Sequence, residues 1–235
     1  MLPYAVRRGR MTEMLHFSPT DGTARAAHPP KVLPRGADCA LFLTESVRSL
    51  PVTASLFPSS RFLAAALLRQ IDFSSASVIV ELGIGTGAIT RQILRRSGPR
   101  AVVYGVDLNP QFVSRVRYRI RDARFFPILG RAECLGSLLK ERGVRRADAI
   151  VSSLGLTSMA PEQRSKILRQ VADHLGPDGL LTQYQYLHAG SNSRLLASLG
   201  VCFAEREFLG RYFRDVSSER VLWNVPPATV YTCRL

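Results

Sequence analysis

Residues Val78–Arg91 read VIVELGIGTGAITR. An apolar run is followed by an acid, Glu81, then by Gly83, Gly85 and Gly87, and then by an apolar stretch with helical character. A strand that ends in glycines and opens a helix places bare backbone beside a ligand at the carboxyl edge of a sheet. The pattern predicts a strand over Ser77–Leu82 and a helix over Ala88–Arg96, and it sets the register for the rest of the chain.

Strands and helices alternate on either side of it. Upstream, FPSSRFLAAALLRQI predicts an apolar helix over residues 59–71, with Ser59 or Ser60 as its N-cap. Downstream the pattern gives a strand over Ala101–Val106, a helix over Pro110–Asp122, and a strand over Phe125–Leu129. A helix over Glu133–Arg142, a strand over Ala147–Ser152, and a helix over Pro161–Leu175 follow. GPDGLLTQYQY reads as a turn and then a strand, and Ser191–Leu199 as a helix. Two further β segments, about Val201–Leu209 and Val221–Thr232, are expected to pair as a hairpin. This order is that of an α/β protein with a doubly wound, mostly parallel sheet. Residues 1–36, rich in Arg, Pro, Gly, Thr and Ala, are expected to form a flexible basic arm, and residues 37–235 one domain with a first helix over residues 38–50.

Composition narrows the partners. The formal net charge is +14 and most of the basic residues are arginine. Such a charge favours anionic partners, nucleic acid or an anionic bilayer, without choosing between them. Cys39, Cys134, Cys202 and Cys233 lie far apart with no paired spacing, so neither a metal site nor a disulfide framework is expected. No apolar run reaches the length of a transmembrane helix, and the N-terminus does not read as a signal peptide.

The glycines alone fit two ligands: a dinucleotide, or S-adenosylmethionine, which carries a sulfonium and an ammonium. Gly83, Gly85 and Ala88 satisfy a relaxed dinucleotide pattern, a weak signal. Glu81 separates the two, because a carboxylate there repels a pyrophosphate and complements a cationic methionine end. Asp107, in VYGVDLNP, ends the next strand where an acid takes two ribose hydroxyls; its alternative reading is a helix cap before Pro110. Ala132 and Glu133, in LGRAECL, would lie near the adenine, and Glu133 reads equally as an acid at a helix N-terminus.

ELGIGTG, GVDLNP, GRAECL and DAIVSSLGL together resemble the class I S-adenosylmethionine-dependent methyltransferases, whose fold is Rossmann-like with seven strands. By this resemblance Glu81, Gly83, Gly85, Thr86, Gly87, Asp107, Leu108, Asn109, Ala132, Glu133 and Ser152 are cofactor contacts. VSSLGLTSM lacks the Asn-Pro-aromatic pattern of base methylases, which counts against an RNA acceptor. SVRSLPVTASLFPSSRFLAAALL and WNVPPATVYTCRL are similar to the bacterial phospholipid N-methyltransferases, which convert phosphatidylethanolamine towards phosphatidylcholine. Ala54 stands where that family has a glycine, and Gly155 where its loop often has a proline. The resemblance implies cofactor contacts from Ser59 and Ser60, a lipid substrate met by Phe57, Ser153, Leu154, Trp223 and Asn224, and action as a peripheral protein at the inner face of the membrane.

In this setting Tyr184 and Tyr186, two apart on one strand, point the same way and can hold a methylated ammonium. They are the catalytic candidates, with His188 as a candidate proton acceptor. Trp223 is expected to pack under the hairpin, the membrane being the alternative. A stripe of Ala40, Leu43, Val47 and Leu50, flanked by Arg35 and Arg48, fits docking on anionic lipid or packing as a lid over the cofactor, and a helix crowded with Arg115, Arg117, Arg119, Arg121 and Arg124 fits the same surface or a solvated face. A monomer that binds no nucleic acid is expected. An RNA methyltransferase and a non-catalytic nucleotide-binding protein are the rival readings.

Overall fold

The computed structural model describes residues 58–156, 159–186, 200–224 and 227–235, with the side chains of residues 58–60 and 200–204 excepted. The arm, the helix over 38–50, the helix over Ser191–Leu199, Phe57 and His188 lie outside the described residues.

The elements follow in the order α1 (Pro58–Leu68), β1 (Val78–Leu82), α2 (Ala88–Arg96), β2 (Val102–Asp107), α3 (Pro110–Arg119) and β3 (Phe125–Leu129). A 3₁₀ turn (Ala132–Cys134) leads into α4 (Leu135–Lys140), then β4 (Ala147–Ser152), α5 (Pro161–His174) and β5 (Leu175–Tyr186). The chain closes with α6 (Gly200–Leu209), β6 (Asp215–Val221) and β7 (Ala228–Arg234). The seven strands form one sheet in the order β3-β2-β1-β4-β5-β7-β6. Pairings from β3 through β5 are parallel, and β7 runs antiparallel between β5 and β6. Strand order reverses between β1 and β4, so the crevice that such a sheet offers to ligands opens at the carboxyl ends of those two strands.

One core lies on each face. Leu82, Val106, Ile150 and Leu181 pack with α4, α5 and α6 residues such as Leu139, Leu168 and Leu209. Ile79, Val103, Val151 and Val230 pack on the other face with Leu67 of α1, Ile93 of α2 and Val116 of α3. Both faces of the central strands are therefore buried, which is why their sequences read as continuous apolar runs. Among the described residues no helix is long and apolar enough to cross a membrane.

Three expectations need correction. Helix α1 begins at Pro58, so Ser59 and Ser60 lie inside its first turn and do not cap it. Proline is favoured there because its missing N–H would have no helical partner. Residues 200–209 are helical, although VCFAEREFL was read as β. Glu205 of α6 is held at 3.2 Å by Arg164 of α5, whose guanidinium also lies over the Phe208 ring at 4.0 Å. This tertiary pairing uses positions three apart, a helical spacing that the alternating apolar pattern concealed. The strand that pairs with β7 is instead DVSSERV, a polar segment at the sheet edge, so it carries no apolar alternation. Finally, α3 ends at Arg119, and Arg124 does not belong to its arginine face. Arg124 donates to the carbonyls of Leu94, Ser97 and Gly98 and to Asp122, closing the C-terminus of α2.

Candidate active site

The loop from Gly83 to Gly87 leaves β1 with positive φ at all three glycines: 83°, 48° and 78°. Gly87 is the left-handed N-cap of α2, and a Cβ there would lie 3.1 Å from Ile120 and 3.3 Å from Val116. Gly85 differs, since a Cβ there would meet nothing within 4 Å. Its backbone faces open space at the carboxyl edge, a cradle that a ligand can fill.

Two acids flank the cradle, in different states. Asp107 accepts from the Gly85 amide at 2.9 Å through Oδ2 and from the Asn109 amide at 2.8 Å through Oδ1. The cap of α3 is Asn109, whose Oδ1 accepts from the Gln111 amide, so the capping alternative for Asp107 does not hold. Each Asp107 oxygen keeps a lone pair, enough for two hydroxyl donors. Burial raises its pKa, against the hydrogen bonds from Asn109 and Gly85 that lower it. Glu81 is 1% exposed and accepts from the Thr90 hydroxyl of α2 at 2.6 Å through Oε2. Its Oε1 is buried and has no hydrogen-bond partner. Burial pushes its pKa up to about 8, Thr90 opposing and Asp107 adding to the rise. An orphaned buried carboxylate oxygen beside an open glycine loop fits a ligand that brings a cationic N–H donor.

The loop after β4 closes against this cradle. The Ser153 amide donates to the Leu82 carbonyl at 2.8 Å, and Leu154 lies 3.2 Å from where a Gly83 Cβ would stand. Ser152 is buried and its hydroxyl accepts from the Leu154 amide at 3.4 Å, whereas the Ser153 hydroxyl is buried without a partner. Beyond β3, Ala132 is buried, and Glu133 accepts from Arg131 at 2.9 Å and from Gln163 at 2.7 Å. Burial opposes the ionisation of Glu133, but those hydrogen bonds and that of its own amide outweigh it and hold the pKa below the ordinary value. The Glu133 carboxylate thus ties the 3₁₀ turn to α5. Thr86 and Leu108 are half-buried on the loops after β1 and β2.

Tyr184 and Tyr186 end β5 as an edge-to-face pair, ring centroids 5.1 Å apart at 67°. Burial, helped by the neighbouring Tyr186, raises the Tyr184 pKa above the ordinary phenol value, so its hydroxyl stays protonated. Trp223 does not pack under the hairpin: it is 82% exposed, while Asn224 beside it is buried. The two lie just after β6, where exposed Leu222 and Trp223 stand between buried Val221 and Asn224, an arrangement with no strand or helix period to reveal it in the sequence.

Two residues were missed. Thr90, on α2, holds Glu81. Gln183, on β5, is 2% exposed and donates to the Leu154 carbonyl at 2.8 Å and the Tyr184 carbonyl at 2.7 Å. Both its N–H groups are spent on these carbonyls, and its Oε1 is buried without a partner. The available signal was a polar residue at a position sharing the core face of Leu181 in TQYQY.

The sequence matches the family described as "Methyltransferase domain" over residues 79–179. It is 32% identical over 198 residues to the ornithine lipid N-methyltransferase of Singulisphaera acidiphila, a match covering 84% of this chain and 96% of that protein. The chain belongs to the class I S-adenosylmethionine-dependent methyltransferases, in the family of that lipid enzyme. Ribosomal RNA small subunit methyltransferase H of Mycolicibacterium smegmatis is 28% identical over 63% of this methyltransferase, but the match spans only 41% of that protein. In fold, this methyltransferase is similar to the 1,6-didemethyltoxoflavin-N1-methyltransferase of Burkholderia thailandensis, solved with S-adenosylhomocysteine: TM-score 0.63, 20% identity, covering 88% of this chain and 92% of that one. The cofactor is S-adenosylmethionine, which when bound supplies the methyl group carried on its sulfonium sulfur. Glu81, with its buried Oε1 lacking a partner, the open Gly85 backbone and Asp107 would hold it.

Proposed function

We propose that this methyltransferase methylates the headgroup amine of a membrane aminolipid. The observation that carries the reading is the near full-length match to a lipid N-methyltransferase. The edge-to-face Tyr184–Tyr186 pair supports it, because two ring faces inclined at 67° suit an ammonium that gains methyl groups and loses N–H donors. Phosphatidylethanolamine and its mono- and dimethyl forms are the acceptors that the chain's lead-in and ending motifs favour. Ornithine lipid is the second reading, favoured by the name of the Singulisphaera relative.

Either acceptor presents an amine that is largely protonated near neutral pH and must be neutral to attack. With Tyr184 held as a phenol, the proton passes to water, to a headgroup oxygen, or to a group outside the described residues such as His188. Alignment of amine and methyl carbon then supplies most of the acceleration.

The test is a parallel assay with labelled methyl donor on phosphatidylethanolamine, ornithine lipid and ribosomal RNA. Label in either lipid is expected. Label in RNA alone would overturn the reading and favour the rival.

A further inference from the structure

We propose that the β6–β7 turn is a membrane anchor, with Leu222 and Trp223 inserting into the interfacial layer of an anionic bilayer beside the mouth of the active site. The choice of a bilayer as partner rests on the aminolipid reading.

The turn presents its apolar residues outwards. Leu222 is 65% exposed and Trp223 82%. They are not on a loose tip, because Val221 before them and Asn224 after them are buried, and Ala228, which opens β7, is fully buried. Two adjacent large apolar side chains held out between buried Val221 and Asn224 mark a contact surface more than a folding defect. Tryptophan is the residue most suited to the boundary between headgroups and acyl chains.

The position serves the site. Ala228 pairs with Val221 on one side and with Tyr186 on the other, so the turn stands at the carboxyl end of β5, beside the tyrosine pair. A bilayer engaged there brings headgroups to the edge of the sheet where Gly85 and Glu81 lie, without a lipid leaving the membrane entirely.

Charge selects the surface. Arg220 is exposed next to Leu222, and α1, which packs across β5, β6 and β7, exposes Arg61 and Phe62. With a net charge of +14 the chain as a whole is drawn to anionic lipid. Cationic groups flanking a small apolar wedge give reversible docking without a spanning helix.

Trp223 is the only tryptophan in the chain, so its fluorescence reports on this residue alone. The full-length protein is titrated with vesicles of phosphatidylglycerol, which carry no amine, and with vesicles of phosphatidylcholine. With phosphatidylglycerol the emission is expected to shift to the blue and to be quenched by bromines high on the acyl chains. Trp223→Ala and Leu222→Ala should each weaken vesicle cosedimentation roughly tenfold, the scale of one buried apolar side chain, while binding of S-adenosylhomocysteine stays unchanged. An unmoved emission in protein that cosediments, no cosedimentation, or full vesicle binding by Trp223→Ala would each overturn the proposal. So would the same blue shift without vesicles in protein that self-associates, which would assign the patch to a second copy of the chain. Methyl transfer to short-chain aminolipid in free solution tests the substrate separately: failure there with an intact vesicle response counts against the aminolipid reading and not against the anchor.

Discussion

The Asp107 carboxylate accepts a hydrogen bond from the Gly85 backbone amide, 2.9 Å long, across the gap between the first two strands of the sheet. One side chain therefore shapes the glycine loop and, on the proposed cofactor placement, would also meet the ribose. Asp107→Ala removes the acceptor of two backbone amides and of the ribose hydroxyls together. At about 1.5–3 kcal/mol for each hydrogen bond to a charged group, S-adenosylhomocysteine affinity should fall a hundredfold or more. Asp107→Asn, which keeps one acceptor oxygen, should fall less. Calorimetric titration of the two variants checks this, and unchanged binding by Asp107→Ala would show that another residue takes the ribose.

Gly85 and Gly87 separate ligand space from fold space. At Gly87 a methyl group meets Ile120 and Val116 in a left-handed backbone, so Gly87→Ala should lower thermal stability by about 2 kcal/mol or more through strain and overpacking. At Gly85 the added methyl enters open space, so only backbone strain of about 1 kcal/mol is expected. The affinity of Gly85→Ala for S-adenosylhomocysteine should nonetheless fall steeply if the cofactor fills that space. Thermal melts with and without ligand distinguish the pair; a Gly85→Ala protein with unchanged ligand stabilisation would place the cofactor elsewhere.

Much of this was legible in the chain. The apolar runs of β1, β2 and β4 marked those strands because both sheet faces are covered there, and the glycine loop was legible because its left-handed backbone admits few other residues. What escaped depends on partners distant in sequence. Residues 205–209 read as strand until Arg164 supplies Glu205 with its ion pair. DVSSERV, with one solvated edge, has no apolar period to reveal it. Thr90 and Gln183 matter through what they touch, Glu81 and the Leu154 carbonyl, and neither contact has a local signature.

Glu81 makes cofactor binding pH-linked. Its pKa in the free protein is raised from 4.5 to about 8 by burial. A carboxyl raised on folding contributes stability that is full below its unfolded value and lost as pH rises through its folded value, here between about 4.5 and about 8. An ammonium brought to Oε1 favours the ionised form, so binding should release a proton below about pH 8. Calorimetry of S-adenosylhomocysteine in buffers of differing ionisation heat should therefore show proton release. Glu81→Gln should abolish the buffer dependence and, in the free protein, lose less stability between neutral and mildly alkaline pH. An identical buffer dependence in Glu81→Gln would assign the proton to another group.

Gln183 braces the loop after β4, the proposed acceptor side of the site. Its amide is fixed by the Leu154 and Tyr184 carbonyls, which leaves its Oε1 and the neighbouring loop's Ser153 hydroxyl as buried groups without partners. Gln183→Leu keeps the volume and leaves both carbonyls unpaired, at a cost of about 1–3 kcal/mol for a buried group stripped of its partner. The loop over residues 153–156 should loosen, raising the KM for the lipid amine roughly tenfold, the kinetic equivalent of about 1.4 kcal/mol. Asp107 and the Gly83–Gly87 backbone do not depend on this amide, so S-adenosylhomocysteine affinity should stay within about twofold, a few tenths of a kcal/mol. Steady-state kinetics with varied lipid at saturating cofactor, paired with calorimetry, resolves the two effects. Equal losses in both would make Gln183 a general support of the sheet edge, and no loss in either would remove it from the acceptor side of the site.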